Sequence, residues 1–227
     1  MGLQRYKPVW DYQEQLMQQA TDTKRAEFEW PAAERSTRHY LLLVEHPPVY
    51  TLGKSGHLEN ILITEEEMTA RGIDYFKINR GGDITFHGPQ QLVGYPILDL
   101  EKFYTDIGKY LRNLEEVIIK TIAHYGLKGE RSSGETGVWI EPDKKGSERK
   151  ICAMGVRCSR WITMHGWALN VNTDLDYFNH IIPCGIKDKQ VTSIEKEIGQ
   201  PVDFEETKRV LLEKFAEVFD VQLLPMD

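Results

Sequence analysis

The chain has 227 residues, of which 41% are hydrophobic and 28% are charged, and its formal net charge is −7. These values are typical of one globular domain with enough apolar side chains for a core. The acidic balance argues against nucleic acid as the main partner, because phosphate binding requires clustered Lys and Arg. No apolar run approaches the roughly 20 residues that span a bilayer, and no signal-peptide core is present. We therefore expect a cytoplasmic protein that does not bind membranes.

The hydrophobic pattern predicts helices and strands in mixed order along the chain. Helices are expected over residues 9–28, 65–71, 106–125 and 203–219, with a capping box at Thr64 and Glu67 opening the second one. Strands are expected over residues 40–44, 49–52, 75–78, 92–100, 138–140, 150–156 and 162–171. A further short strand is expected to end at His87, and residues 221–224 could add an edge strand. Pro96 suits an edge or a bulge.

This order of elements lacks a regular βα alternation. It favours an α+β fold with a mixed, largely antiparallel sheet and flanking helices. We expect one domain over residues 1–227, in which residues 1–35 form an N-terminal helical extension.

The three cysteines differ in their sequence surroundings. Cys152 and Cys158 lie on predicted strands among apolar neighbours, which indicates buried and inert thiols. Cys184 lies between Pro183 and Gly185, in a tight turn that would expose its thiol. Since no CxxC pair occurs, a reduced protein with at least one free thiol is the simplest interpretation.

Cys184 and Lys150 are the candidate catalytic residues. A free thiol is only a few per cent thiolate at neutral pH, as an order of magnitude. A protonated Lys150 within a few ångströms would lower the pKa of that thiol, and a neutral lysine could take the proton of an incoming amine. Such a pair suits acyl transfer from a thioester to an amine. The alternative is that Cys184 is a small turn residue and Lys150 a solvated charge.

Arg80-Gly81-Gly82 is a second candidate site. Its glycines would let backbone N–H groups approach a ligand, and Arg80 could pair with an anion. A plain strand–turn–strand is the alternative. The histidines form no HxxxH or HExxH pattern, so we predict no metal site. Trp161, Trp167 and Tyr95 fit either a core or an acyl pocket.

Four segments together carry a family resemblance: RGGDITFHGPQQLVGYPILDL from Arg80, RKICAMGVR from Arg149, HGWALNVNTDL from His165 and IIPCGI from Ile181. In this order and spacing they resemble the lipoate-biosynthesis octanoyltransferases, also called lipoyl(octanoyl) transferases. The resemblance implies the fold of the catalytic domain of biotin and lipoate protein ligases. It implies a ping-pong transfer from octanoyl-acyl-carrier-protein to a lysine of lipoyl domains of 2-oxoacid dehydrogenases or of the glycine cleavage H protein. No cofactor is implied, because the donor thioester is already activated.

The resemblance also assigns roles by motif position. Cys184 would form the acyl thioester, and Lys150 would activate it and act as general acid and base. The implied substrate-binding residues are Arg80, Gly81, Gly82, Asp83, Ile84, Thr85, Phe86, His87, Ala153, Met154, Gly155, Gly166, Trp167 and Ala168.

Two residues depart from the family pattern. Gln90 stands where a glycine is expected, so it would be strained if that position needs a positive φ. Trp167 is bulkier than the expected Phe or Leu and could shorten or reshape the acyl tunnel.

Three other functions stay open from the sequence. An ATP-dependent lipoate or biotin ligase shares the implied fold, but it activates a free acid and needs no cysteine nucleophile. A non-catalytic acyl-binding or adaptor domain would not need both Lys150 and Cys184. A cysteine hydrolase would want a histidine base, and sequence alone does not place His87 or His165 beside Cys184.

Overall fold

The protein is described by a computed structural model that covers residues 1–182 and 190–225. The helices are α1 (Tyr6–Ala26), α2 (Glu65–Ala70), α3 (Ile107–Ala123), α4 (Ile194–Ile198) and α5 (Phe204–Phe219). The strands are β1 (Tyr40–Val44), β2 (Val49–Leu52), β3 (Asp74–Lys77), β4 (Ile84–His87), β5 (Gln91–Ile97), β6 (Val138–Ile140), β7 (Arg149–Ser159), β8 (Ile162–Asn170) and β9 (Gln190–Val191).

These strands form two sheets. The large sheet has the order β1-β5-β8-β7-β6, and β9 pairs with β7. All of its ladders are antiparallel except the one between β7 and β9. The small sheet has the order β3-β2-β4, with a parallel and an antiparallel ladder. The predicted α+β class, with a mixed and largely antiparallel sheet, is therefore confirmed.

Helices cover both faces of the large sheet. Helices α3 and α5 bury residues such as Leu114, Ile118 and Phe215 against one face, while α1 buries Val9 and Leu16 against the other. The apolar stripes of these helices set this arrangement, since burial of each stripe removes apolar surface from water. No helix in the described part of the chain is both long and apolar enough to cross a membrane.

Buried polar contacts also attach α1 to the sheet. The Lys24 ammonium is 8% exposed and donates to Asp99 Oδ1 at 2.8 Å and to the Arg160 carbonyl oxygen at 2.8 Å. Arg160 and Trp161 form the turn between β7 and β8, with φ of +50° and +65°. This two-residue turn suits the right-handed twist of a hairpin. The contacts tie the C-terminal end of α1 to the end of that hairpin.

Two local predictions need correction. Strand β5 lies inside the sheet instead of at its edge, between β1 and β8. Pro96 is accommodated because the β5–β8 ladder runs from Gln91 to Gly94 and the proline lies beyond it, so no ladder donor is missing. Residues 221–224 form no strand.

Candidate active site

A pocket of about 510 Å³ lies between the two sheets and reaches α3. It is lined from β4, β7 and β8, from the loop that precedes β4, and from the first residue of α1. Of the residues predicted from sequence, the pocket is lined by Arg80, Gly81, Gly82, Asp83, Ile84, Thr85, His87, Lys150, Ala153, Met154, Gly155, Gly166, Trp167 and Ala168. The fold thus brings three separate motifs to one cavity.

Phe86 is the exception among these residues, because it does not line this pocket. Its ring stacks on Tyr177 at a centroid distance of 4.6 Å and contacts Phe178 edge-on at 5.4 Å. It is 1% exposed within the core of the small sheet. Neighbouring strand residues point to opposite faces, so Thr85 and His87 point away from this core and line the pocket. Ile84 shares the face of Phe86, and it both packs in this core and lines the pocket.

Arg80 holds the loop before β4 in shape. Its guanidinium donates to the Asp83 carbonyl oxygen at 2.8 Å, to the Gly81 carbonyl oxygen at 2.8 Å and to the Thr51 carbonyl oxygen at 3.1 Å. The side chain is only 9% exposed. Several of its donors therefore satisfy backbone oxygens that would otherwise be buried without partners.

The loop of Arg80 and Gly81 lies directly against β7. The Gly81 N–H donates to the Val156 carbonyl oxygen at 3.1 Å. A Cβ atom at Gly155 would lie 2.7 Å from the Gly81 carbonyl oxygen. Only glycine permits this approach of two backbones, which places the loop beside β7 beyond Cys152, where β6 and β9 no longer pair with it.

Lys150 lies in the pocket wall, on the ladder position opposite Trp139. Its Nζ is 4.6 Å from the centroid of the Trp139 ring, which is within cation–π range. A Cβ atom at Gly137 would be 3.6 Å from Cδ and Cε of Lys150 and only 2.6 Å from the Cys152 carbonyl oxygen. The indole and the bare backbone of Gly137 thus define the position of the lysine side chain.

Trp167 is both a core residue and a pocket residue, whereas the sequence had left it open between a core and an acyl pocket. It is 2% exposed and packs against Phe215 at a ring distance of 6.1 Å. It also lines the pocket, opposite Met154 on β7. Ile107 and Leu111 of α3 add apolar surface to the same wall.

Buried side chains of Tyr6, His87 and Tyr95 form another part of the pocket wall. Tyr6, the first residue of α1, stacks on His87 at a centroid distance of 5.8 Å. His87 Nδ1 lies 2.9 Å from Gln91 Oε1. His46 donates to the Gln4 carbonyl oxygen and accepts from the Tyr95 hydroxyl at 2.8 Å. Burial lowers the pKa of His46 to about 4 and that of His87 well below its usual range, so both rings are neutral at pH 7.

Several pocket residues were not among the predicted substrate-binding residues, although the sequence left Tyr95 open between a core and an acyl pocket. Tyr6, Tyr95 and His165 line the pocket, although none was predicted as a substrate-binding residue. His165 is the first residue of the HGWALN segment, and the family resemblance of that segment could have identified it. No local pattern marks Tyr6, because its place depends on how α1 packs on the sheet.

The two other cysteines lie away from the pocket lining. Cys152 is fully buried in the core under α3, and burial raises the pKa of its thiol. Cys158 is half-buried, and burial raises the pKa of its thiol as well. Both are poor nucleophiles at neutral pH for this reason. The predicted inert character of Cys152 agrees with its burial.

Cys184 lies outside the described residues. On both sides of Cys184 in the sequence, the described residues contact residues that line the pocket. The Ile182 N–H donates to the Asn60 carbonyl oxygen at 2.8 Å, and the Asn60 side chain donates to Asp83 at 2.7 Å. On the other side, Val191 pairs with Lys150 in the β7–β9 ladder.

Among the residues that the structure describes, no group of three or more His, Cys, Asp or Glu side chains is placed to hold a metal ion.

Comparison with known proteins places the chain in a family. The model of the lipoyl protein ligase A/B catalytic domain matches residues 5–216. The chain is 57% identical to an octanoyltransferase of Christiangramia forsetii, over 98% of this chain and 95% of that protein. It is 56% identical to an octanoyltransferase of Flavobacterium psychrophilum, over 99% of this chain and 96% of that protein.

The chain belongs to the lipoyl protein ligase A/B family and, within it, to the octanoyltransferases.

The fold agrees with this assignment. A bi-partite lipoate protein ligase from Thermoplasma acidophilum superimposes with a TM-score of 0.66 at 17% identity, covering 92% of this chain and 81% of that one. At this identity the likeness concerns the fold alone. The expected likeness to the catalytic domain of lipoate ligases is confirmed.

Proposed function

We propose that the protein is an octanoyltransferase that moves the octanoyl group of octanoyl-acyl-carrier-protein to the ε-amine of a specific lysine. The acceptors are lipoyl domains of 2-oxoacid dehydrogenases and the glycine cleavage H protein. The observation that supports this most is Lys150 in the wall of a partly apolar pocket, beside the backbone-rich loop of Gly81 and Gly82. The names of full-length relatives support the same activity. We place the reaction in the cytoplasm.

The proposed reaction has two steps. The Cys184 thiolate attacks the carbonyl carbon of the donor thioester, and the pantetheine sulfur leaves and takes a proton. The lysine amine of the acceptor then attacks the Cys184 thioester, an amide forms, and the cysteine sulfur leaves as a thiolate. Lys150 favours the thiolate by its charge and gives its proton to the leaving pantetheine sulfur. As a neutral amine it then accepts the proton that the acceptor lysine loses, which restores its charge. No cofactor is used, because the donor is an activated thioester.

The predicted substrate-binding residues fit these steps. The glycine-containing segments around Gly82 and Gly155 would let the backbone approach the acyl carbonyl of each tetrahedral intermediate. The apolar wall of Met154, Trp167 and Leu111 would receive the octanoyl chain. We also propose that residues 1–227 form a single catalytic domain, with residues 1–35 as its N-terminal extension.

Intact-protein mass spectrometry tests the first step. The protein is mixed with octanoyl-acyl-carrier-protein without acceptor or ATP, and peptides are mapped. We expect one octanoyl adduct on Cys184 that disappears when a lipoyl domain is added. Cys152 and Cys158 serve as internal controls and should stay unmodified. If no adduct forms, but free octanoate with ATP modifies the lipoyl domain, an ATP-dependent ligase replaces this proposal.

Two variants test the predicted catalytic pair. Cys184→Ser should abolish transfer while its unfolding curve matches that of the wild type. Lys150→Ala should lower the transfer rate and move thiol alkylation of Cys184 to higher pH. Full activity of the Lys150→Ala variant with an unchanged alkylation profile would show that Lys150 is only a charge near the pocket.

A further inference from the structure

His165 is a pocket residue that the proposed mechanism does not use. It is 1% exposed on β8, and its φ of +59° lies in the left-handed region that residues other than glycine seldom adopt. Strained backbone of this kind recurs at functional sites and persists where neighbouring contacts hold it. Gln13 of α1 provides one such contact, since its Oε1 accepts from the His165 N–H at 3.0 Å.

A chain of hydrogen bonds determines which nitrogen of His165 carries the proton. Asn79 Nδ2 donates to Glu14 Oε1 at 2.7 Å, because a carboxylate can only accept. This orients Asn79 Oδ1 toward His165 Nε2, at 2.9 Å. Nε2 must therefore be the protonated nitrogen. Arg157 fixes the carboxylate from the other side, at 2.9 Å from Glu14 Oε1.

The other nitrogen, Nδ1, is then a bare acceptor. Burial and the nearby Arg80 and Arg157 lower the pKa of His165 to about 3, so the ring is neutral at pH 7. Nδ1 is fully buried and has no hydrogen-bond partner among the residues that the structure describes. A buried acceptor without a partner costs free energy unless a ligand supplies the donor. His165 is a lining residue of the pocket, whereas Asn79, the partner of Nε2, is not.

We propose that His165 Nδ1 accepts a hydrogen bond from an N–H group of a substrate, and that Asn79 and Glu14 are positioning residues that fix its tautomer. This inference rests on the proposed function, whose substrates offer two sources of N–H groups. One is an amide of the pantetheine arm of the donor. The other is the amine of the acceptor lysine. Burial lowers the pKa of this ring, which makes it a poor general base at pH 7.

Two substitutions separate the two ring nitrogens. The amide of His165→Gln reaches the position of Nε2 and keeps a donor for Asn79, but it leaves no acceptor at the position of Nδ1. The shorter amide of His165→Asn places an oxygen near the position of Nδ1. Asn tolerates a positive φ well, and this chain already holds a glutamine at φ +60° in Gln90, so both variants should fold.

The two half-reactions are then measured separately at pH 7.5 or so. One is octanoyl transfer from octanoyl-acyl-carrier-protein to the enzyme, and the other is transfer from the octanoyl-enzyme to a lipoyl domain. We expect His165→Gln to lose about 5- to 100-fold in kcat/KM in one half-reaction, and His165→Asn to stay within roughly threefold. Loss in the first half identifies a donor amide, and loss in the second identifies the acceptor amine.

Nitrogen-15 spectroscopy of the histidine rings gives a readout that a structural role would not change. The His165 signals, assigned by their absence in His165→Gln, should show a protonated Nε2 and an unprotonated Nδ1. The Nδ1 resonance should move toward a hydrogen-bonded value when the substrate that supplies the N–H binds. Asn79→Leu should mix the two tautomers and lower the rate of the same half-reaction.

Defined outcomes overturn the inference. Wild-type rates for His165→Gln in both half-reactions would do so, as would equal losses in both, which indicate a distorted pocket. A protonated Nδ1 in the free enzyme would also contradict it. Failure of the wild type to transfer octanoyl groups at all would instead refute the proposed function.

Discussion

Gln90 shows how one residue can keep a backbone conformation that glycine adopts more easily. Its φ is +60°. Its N–H donates to Glu45 at 2.7 Å, and its carbonyl oxygen accepts from the Thr173 hydroxyl at 3.0 Å. Its side-chain oxygen accepts from Asn172 Nδ2 at 2.8 Å. The strain expected from sequence is therefore present, and these bonds hold the loop in place.

This strain can be measured by an alanine–glycine pair. Gln90→Ala and Gln90→Gly both lose the side-chain bond, but only alanine keeps a Cβ in the left-handed region. We expect Gln90→Ala to be less stable than Gln90→Gly by about 1 kcal/mol in urea unfolding. The same pair at exposed Gln19 in α1 should have the opposite order by about 1 kcal/mol. Equal stability of both Gln90 variants would show an unstrained loop.

Trp139 is the residue-scale test of how Lys150 is held. Its ring contacts the ammonium at 4.6 Å, an interaction of about 1–2 kcal/mol at a partly buried site. Trp139→Leu should lower kcat/KM of octanoyl transfer by about 10-fold, and Trp139→Phe by less, because a phenyl ring keeps a weaker cation–π contact.

The matched control for this prediction is Trp161→Leu. Trp161 is half-buried in the β7–β8 turn and does not line the pocket. The Trp161→Leu substitution should lower the free energy of unfolding without changing the transfer rate. Equal rates for Trp139→Phe and Trp139→Leu would show that the aromatic face contributes nothing.

At the scale of elements, α1 determines one wall of the pocket. It supplies Tyr6 to the lining, and Gln13 and Glu14 to the hydrogen bonds that fix His165. At its other end, Lys24 pairs with Asp99, which is 1% exposed. Helix and site are therefore coupled, although the sequence of α1 shows only an ordinary amphipathic pattern.

Removal of the Lys24 charge should loosen this helix. Lys24→Met leaves the buried Asp99 carboxylate without its cation, which should cost about 3 kcal/mol in the free energy of unfolding. Lys7→Ala breaks an exposed pair with Asp11 and should cost less than about 1 kcal/mol. Urea unfolding compares the two. If Asp99→Asn in the Lys24→Met background restores no stability, the cost does not come from an unpaired carboxylate.

At the scale of the whole molecule, the buried histidines should make the fold sensitive to acid. Burial holds the pKa of His46 at about 4 and that of His165 at about 3, against about 6.5 in the unfolded chain. Below pH 6.5 the unfolded state therefore binds protons that the folded state does not bind. The free energy of unfolding is therefore highest above pH 6.5, and it decreases as the pH falls toward 4.

The expected loss is about 2 kcal/mol for each of these two histidines between pH 6.5 and 5, a range above the usual pKa of carboxyl groups. Urea unfolding at several pH values measures this slope. His46→Gln should be less stable at pH 7 but should show a shallower slope. His57→Gln, at an exposed position, should keep the wild-type slope. A wild-type slope in His46→Gln would assign the acid sensitivity to other groups.

The sequence by itself determined the elements that depend on local signals. Strands β1, β2 and β6 have the predicted bounds, since each is a short, mostly apolar run that stands out from the sequence on either side. The predicted capping box of Thr64 and Glu67 opens α2. Helix α3 begins directly after the Asp106 cap, one residue from its predicted start. The motifs also identified most of the residues that line the pocket.

Only the tertiary structure decided which side chains share that pocket. Tyr6 and His87 are 81 positions apart in sequence, yet their rings stack, and Glu14 acts on His165 through Asn79. Phe86 lies among pocket residues in the sequence but packs in the small-sheet core. Propensity and periodicity describe neighbours within a few positions. Contacts over this separation follow from the packing of α1 and of the two sheets, which minimises exposed apolar area for the whole chain at once.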